Sequence, residues 1–308
     1  MFRKSQLLVV IFASTFSMVA AAQNAQPPAK LSAAEIADRS VVAQGGLQAW
    51  RAVETMVMTG KMDAGGNNRP ALTTPAPGTA RKSNQAAIPQ RPVEQAQLPF
   101  TMELKRPRKM RVELEFHGQT AIQVFDGSEG WKLRPFLNRH EVEAYTADQL
   151  QSASMQSELD GPLVDYATKG TKVELVGVEK VEDRDAYRLK LTLQFGHTKD
   201  IWIDTQTFLQ TKVEGNPRRL DGRMHPVEIY YRDYRTVGGL KIPFTLETRV
   251  LEGPTIRGVR NPPTAKERIV LEKVSVNTKL TDAMFTKADL LHAAVPSPAP
   301  KPAKYPLP

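Results

Sequence analysis

Residues Val227 to Val250 read VEIYYRDYRTVGGLKIPFTLETRV, and polar and apolar side chains alternate on both sides of Gly238-Gly239. From Leu240 to Leu246 every second residue is apolar, and before the glycines Ile229 and Tyr231 follow the same alternation. The apolar residues after the glycines include Leu240, Ile242, Phe244 and Leu246. A period of two predicts strands with one apolar and one polar face. Two glycines between such strands supply the positive φ angles of a tight turn, so the stretch predicts a long antiparallel hairpin.

The same alternation recurs along most of the chain and predicts eleven or twelve strands. Its apolar positions outside the hairpin are Met56, Met58, Met102, Leu104, Met110, Val112, Leu114, Phe116, Leu189, Leu191, Leu193 and Phe195. Helices are few. A capping box at Ser32 to Glu35 predicts a helix that ends at Gly45-Gly46, a short helical turn follows over Leu47 to Ala52, and Thr146 to Leu159 contains helix-forming residues. Many amphipathic strands with short turns predict one barrel-like sheet with its apolar side inward.

The N-terminus has the three parts of a secretory signal. Arg3 and Lys4 precede an apolar run from Leu7 to Phe16, and small residues end at Ala22. This predicts a signal peptide over residues 1–22 and a mature chain from Gln23, with an uncleaved anchor as the alternative. The 308-residue chain contains no cysteine, which excludes a disulfide and a lipid-modified cysteine. We therefore expect an exported, soluble protein with one domain over residues 23–290.

Two segments break the pattern. Residues 64–99 contain six prolines among small and polar residues, which predicts an insertion that is either disordered or a functional lid. Residues 291–308 form a proline-rich tail, which predicts an extended flexible segment. The chain carries 42 basic and 33 acidic residues. This surplus either favours transient contact with anionic membranes or acidic partners, or is simply a solvated surface.

The sequence contains no recognisable catalytic or metal-binding motif. The five histidines, His117, His140, His197, His225 and His292, have no histidine partner at helical spacing. The chain also has no Gly-x-Ser-x-Gly elbow and no cysteine nucleophile. We predict no metal, no cofactor and no enzymatic activity. Nucleic acid is also not expected, because neither a basic helix nor an aromatic ribonucleoprotein-type motif is present.

The predicted sheet has more strands than its own side chains can easily fill. About eight strands already enclose room for side chains or one small ligand, and the predicted helices are poor in large residues. The apolar positions of the strands are therefore candidates for the lining of a cavity that binds lipid acyl chains. The alternative is that the same residues pack against the helices as ordinary core.

Several short motifs, in their order along the chain, resemble those of the LolA/LolB-type outer-membrane lipoprotein-sorting proteins. They are the stretch from Tyr230 to Phe244, Phe125-Asp126-Gly127 with Gly130-Trp131, Val276-Asn277 with Asp282 and Phe285, and the N-terminal helix leading through Gly45-Gly46-Leu47 to Gly60. The resemblance implies an α+β fold that is mainly β, an unclosed antiparallel barrel capped by two or three helices. It also implies a periplasmic location and a cavity that shields lipid chains. Arg51 is the candidate for the basic residue that controls lid closure in this family.

These observations predict a periplasmic carrier or chaperone for the acyl chains of lipoproteins or free lipids, which are moved towards the outer membrane. The alternative is an interaction module like the RseB-type regulators, which sense envelope stress through a protein partner. A hydrolase is a third class, and it would require a nucleophile and a base assembled in space.

Overall fold

The computed structural model describes residues 31–64, 96–135, 139–220, 223–251, 255–256, 259–260 and 267–294. The predicted signal peptide over 1–22 and most of the predicted insertion lie outside these ranges. Within them, no helix combines the length and the apolar character that crossing a membrane requires. The described residues from Ser32 onward belong to one compact unit.

Thirteen strands form a single antiparallel sheet, and two short strands form a separate hairpin. The strands are β1 (Thr55–Ala64), β2 (Ala96–Lys105), β3 (Lys109–Phe116), β4 (Gln119–Phe125), β5 (Gly130–Arg134), β6 (Arg139–Ala144), β7 (Lys172–Val181), β8 (Arg184–Thr192), β9 (Thr198–Asp204), β10 (Gln210–Leu220), β11 (Arg223–Val237), β12 (Leu240–Val250), β13 (Thr255–Ile256), β14 (Val259–Arg260) and β15 (Glu267–Val276). The large sheet has the order β6-β5-β4-β3-β2-β1-β15-β12-β11-β10-β9-β8-β7. Its edge strands, β6 and β7, do not pair with each other, so the sheet is an unclosed half-barrel.

The hairpin predicted from Val227 to Val250 is present as β11 and β12. Val237 pairs with Leu240 across the turn, and Gly238 and Gly239 have φ angles of 56° and 84°. The side chain of Asn277, at the end of β15, holds the sheet to the N-terminal helices. Its amide oxygen accepts from the Glu54 backbone N–H at 2.8 Å, and its amide nitrogen donates to the Ala52 carbonyl at 3.1 Å.

Four α-helices accompany the sheet: α1 (Ala33–Ala43), α2 (Leu47–Arg51), α3 (Ala147–Gln156) and α4 (Lys287–Ala294). The predicted capping box of α1 is present, because Ser32 Oγ accepts from the Glu35 N–H and the Glu35 carboxylate accepts from the Ser32 N–H. Helix α3 has the same arrangement with Thr146 and Gln149. Hydrogen-bonded turns, and not a helix, follow over residues 159–170.

The structure differs from the sequence-based boundaries in several places. The insertion predicted over 64–99 is shorter, because Ala64 ends β1 and residues 96–99 begin β2. Leu291 to Ala294, assigned to the tail, are the last turn of α4. Strand β6 was not predicted, and Phe195, predicted in a strand, lies in a 3-10 turn over Gln194–Gly196. Helix α4 has only eight residues, and a helix this short is hard to recognise in a sequence without knowledge of its packing partners.

Candidate functional site

One face of the large sheet is apolar from β4 to β8. Antiparallel partners that lie directly opposite each other share a face. On this basis Met56 pairs with Leu104, Leu104 with Met110, and Met110 with Phe125. We call this the apolar face. Helix α3 lies on the same side, because Lys132 Nζ, on the apolar face of β5, donates to Gln149 Oε1 at 2.7 Å.

The register places sixteen of the predicted cavity residues on this apolar face. They are Met56, Met58, Met102, Leu104, Met110, Val112, Leu114 and Phe116 in β1 to β3, Leu189 and Leu191 in β8, and Ile229, Tyr231, Leu240, Ile242, Phe244 and Leu246 in β11 and β12. Leu193 follows β8 directly. Phe195 lies in the 3-10 turn, and its side chain is outside the described residues.

These residues differ in burial along each strand. Eight of them are buried: Met56, Leu104, Met110, Leu189, Leu191, Leu240, Ile242 and Phe244. These eight residues belong to the protein core, which was the alternative that the sequence analysis left open. The others with described side chains are half-buried: Met58, Met102, Val112, Leu114, Phe116, Leu193, Ile229, Tyr231 and Leu246. These retain apolar surface that a ligand can cover.

Seven half-buried side chains lie on the apolar face of six neighbouring strands. They are Val112, Met102, Met58, Met62, Ile269, Leu246 and Tyr231, and we call them the apolar strip. Between Met58 and Met62 the apolar face carries Gly60, which has no side chain. Met62 and Ile269 were not among the predicted cavity residues. The alternation of Met62 with Met58 was the signal for the former, whereas Ile269 reaches the strip only through its pairing with Leu246.

Two cavities lie beside the helices. One of about 470 Å³ is bounded by α1 and the turns that follow α3, and its lining includes Val41, Val42, Leu47 and Leu163. The other, of about 290 Å³, lies between α3 and the connection from β8 to β9. Of the predicted cavity residues, only Leu193 lines either of them. The strip residues line neither cavity.

The chain has no match among models of protein families or among curated proteins. It is similar to several solved structures. A DUF1329 family protein from Desulfovibrio piger superposes with a TM-score of 0.50 at 13% identity, covering 85% of this chain and 100% of that one. The two proteins share a fold, which in this chain is an unclosed antiparallel half-barrel.

Two further solved structures have similar coverage. A LolA superfamily protein from Nitrosomonas europaea has a TM-score of 0.48 at 13% identity, over 84% of this chain and 100% of that one. A putative outer membrane lipoprotein-sorting protein domain from Vibrio parahaemolyticus has a TM-score of 0.49 at 12% identity, over 84% and 98%. At such identities the similarity concerns architecture and not a ligand.

Arg51, which the sequence analysis predicted as a lid residue, joins α2 to the turns after α3. Its Nε and Nη2 donate to the two carboxylate oxygens of Asp165, at 3.0 Å and 2.5 Å. The hydrogen bond from Arg51 lowers the pKa of Asp165 below its ordinary value. A bidentate ion pair of this kind fixes the relative orientation of the two side chains as well as pairing their charges. Arg51 is thus placed to hold the turns against α2.

A second contact ties the same turns to the sheet. The buried carboxylate of Asp160 accepts from Arg106 Nη2 at 2.8 Å and from Lys169 Nζ at 2.7 Å. Arg106 also donates to the backbone carbonyls of Val53 and Trp50. Because one carboxylate links both cations, separating the turns from β2 would leave a buried charge unpaired.

Within the described part of the chain, no group of three or more histidine, aspartate or glutamate side chains is placed to hold a metal ion. Charged groups are instead paired on the face opposite the apolar face. Glu182 accepts from Arg232 at 2.6 Å and from Arg249 at 2.9 Å. The hydrogen bonds from Arg232 and then Arg249 lower its pKa to about 2, against the opposing effect of burial.

Proposed function

We propose that this protein is a non-catalytic periplasmic carrier that binds lipid acyl chains along the apolar strip. The observation that carries the proposal is the register of Val112, Met102 and Met58, continued by Leu246 and Tyr231 across the sheet. Half-buried apolar side chains on a hydrogen-bonded sheet offer an acyl chain a surface with few polar groups to desolvate.

Burial of methylene groups supplies the binding energy. Each methylene removed from water contributes about 0.8 kcal/mol, so a chain of about ten methylenes gives a useful affinity after the cost of ordering it. Met58, Met62 and Met102 make up three of the seven strip residues. Methionine side chains adapt to ligands of different shape, which suits a carrier that accepts more than one acyl chain.

Transport towards the outer membrane completes the proposal. The N-terminal signal would deliver the chain to the periplasm, and the surplus of basic residues would favour brief contact with anionic membrane surfaces during loading and release. The acyl chain would come from a lipoprotein or a free lipid.

Native mass spectrometry of the protein purified from the periplasm tests this function directly. We expect co-purifying lipid, and uptake of a fluorescent long-chain fatty acid by the delipidated protein. Absence of both would contradict the proposal. Recovery of a membrane regulator from envelope extract, with no lipid-modified protein, would instead favour the sensor that was the alternative prediction.

A further inference from the structure

The cavity of about 290 Å³ between α3 and the β8–β9 connection has a mainly apolar lining with several polar side chains. Met155 of α3 and Leu193 at the end of β8 supply the apolar side chains. The polar lining includes Arg108, Lys169 and His197. None of the strip residues contributes, so the cavity is a separate site from the one proposed for acyl chains.

The lining carries an uncompensated positive charge. Its one carboxylate, Glu158, is neutralised by Lys169, whose Nζ lies 2.6 Å from Glu158 Oε1. Arg108 has no carboxylate partner within the described residues. Its Nη1 donates only to Ser154 Oγ, at 3.4 Å. A guanidinium with unused donors that faces a cavity is suited to bind an anion in a two-pronged arrangement.

A second cation lies close by in sequence. Lys199, two residues after His197, is half-buried and makes no ion pair among the described residues. Burial lowers the pKa of its ammonium, and the charges of Glu214 and Glu158 partly oppose that effect.

The backbone of Arg108 gives an independent reason to look for a role. Its φ angle is 106°, in a region where glycine is comfortable and side chains are strained. A non-glycine residue in such a conformation costs about 1–3 kcal/mol. An arginine at this position therefore does not stabilise the backbone, and its side chain is the feature that needs an explanation.

We propose that this cavity binds an oxyanion, either a carboxylate or a phosphate group, with Arg108 as its principal partner. Met155 and Leu193 would contact the methylenes next to the anionic group. Gln151 and His197 also line the cavity, with 2.9 Å between Gln151 Nε2 and His197 Nε2, and would offer further hydrogen bonds. The oxyanion would belong either to a lipid head group or to a free small anion.

Isothermal titration of the full chain at low salt tests the proposal with four probes: octanoate, octyl phosphate, methyl octanoate and inorganic phosphate. We expect octanoate or octyl phosphate to bind at least about tenfold more tightly than neutral methyl octanoate, as a charge-assisted contact requires. Equal affinity for octanoate, octyl phosphate and the neutral ester would overturn the proposal. Inorganic phosphate that binds as tightly as octyl phosphate would assign the site to a free anion, and weaker binding would assign it to a head group.

The decisive variant is Arg108→Gly. Because glycine suits a φ angle of 106°, we expect it to fold with an unchanged or higher melting temperature and to lose about tenfold or more of the affinity for the charged probe. Arg223→Ala, which removes an exposed arginine of β11, should leave that affinity unchanged. Unchanged affinity in Arg108→Gly, or an equal loss in Arg223→Ala, would refute the site. Met102 lies outside this cavity and in the apolar strip. Met102→Gln therefore tests the acyl-chain site alone, so that failure of the acyl-chain proposal can be told apart from failure of the oxyanion proposal.

Discussion

Gly45 approaches Gly239 so closely that a β-carbon on Gly45 would lie 2.5 Å from the Gly239 carbonyl oxygen. This contact brings the turn after α1 onto the β11–β12 hairpin. A backbone hydrogen bond from the Lys241 N–H to the Gln44 carbonyl, at 3.0 Å, lies beside it. Two turns that are far apart in the sequence therefore meet, and the missing side chain of Gly45 allows the turn after α1 to pack on the hairpin.

We expect Gly45→Ala to destabilise the protein by about 3 kcal/mol, because the new methyl group meets backbone and the φ angle of 116° is unfavourable for alanine. Gly46→Ala is the matched control. Gly46 also has a positive φ, of 87°, but a β-carbon there meets nothing within 4 Å, so a smaller loss that arises from backbone strain alone is expected. Urea unfolding measures both, and equal losses would contradict the close approach.

The alternation of side chains predicted most of the sheet, because a period of two is readable within a single strand. The β11–β12 hairpin and β8 are examples. Strand β6, with the sequence RHEVEA, is mostly polar and exposed, so no apolar face marks it. Helix α4 was missed because its stability depends on distant partners. Phe285, which precedes it, and its own Leu290 pack in a cluster with Val124 on the face opposite the apolar face.

The sequence predicted which residues lie on the apolar face of the sheet, but it did not predict which of them are buried. Met56 and Met58 occupy equivalent positions in the alternating pattern of β1. Met56 is only 3% exposed, whereas Met58 is half-buried. The difference depends on what covers each end of the strand, and that depends on contacts distant in sequence. Sequence alone therefore could not separate the core residues from those of the strip.

The apolar strip predicts that a polar substitution within it weakens the binding of acyl chains. Met102→Gln places a polar amide of similar length in the strip, and we expect about a tenfold loss of affinity for a fluorescent fatty acid, since an unpaired buried amide costs at least 1 kcal/mol. Thr101→Gln is the control, because Thr101 is the neighbouring residue and is also half-buried but lies on the other face. Equal affinities in the two variants would show that the strip is not the binding surface.

The pair between Arg51 and Asp165 makes a prediction about release. In Arg51→Gln we expect the pKa of Asp165 to rise towards its ordinary value, because the hydrogen bond that lowers it is lost. If this pair holds the turns over the interior, bound fatty acid also dissociates faster. Carboxylate NMR titration and stopped-flow fluorescence measure the two effects. Arg39→Gln, which removes an exposed arginine of α1, should change neither, and unaltered release in Arg51→Gln would reject the lid role.

Glu182 makes a prediction about acid stability. Its folded pKa of about 2 lies below the ordinary value of 4.5, so its contribution is present above pH 4.5 and is lost as the pH falls towards 2. We expect Glu182→Gln to be less stable than the native protein at pH 7, by about 1 kcal/mol or less because the carboxylate is 42% exposed. Denaturant unfolding should show this difference vanish near pH 2. A difference that persists there would show that it does not arise from the charge.

Arg111 joins the C-terminal helix to the sheet through a buried guanidinium. It is 7% exposed, and its Nη1 donates to Asp289 of α4 at 2.6 Å and to the Met284 carbonyl at 2.9 Å. We expect Arg111→Met to cost about 1–3 kcal/mol in urea unfolding, since Glu103, Glu113 and Asp289, which are partly buried, lose their partner. Hydrogen exchange should quicken in α4. Lys109→Met, which removes a cation paired with the exposed Asp282, should cost far less.

The neighbouring carboxylate of Glu103 gives this last prediction a pH dependence. Burial raises the pKa of Glu103 above 4.5, and the charge of Arg111 opposes that rise. Without Arg111 the folded pKa increases further, so protonated Glu103 is favoured in the folded state. The deficit of Arg111→Met should therefore be smallest below pH 4.5 and grow as the pH rises through the folded pKa. Adding Glu103→Gln should recover part of the loss at pH 7, and no recovery would mean that packing of the guanidinium, and not its charge, secures α4.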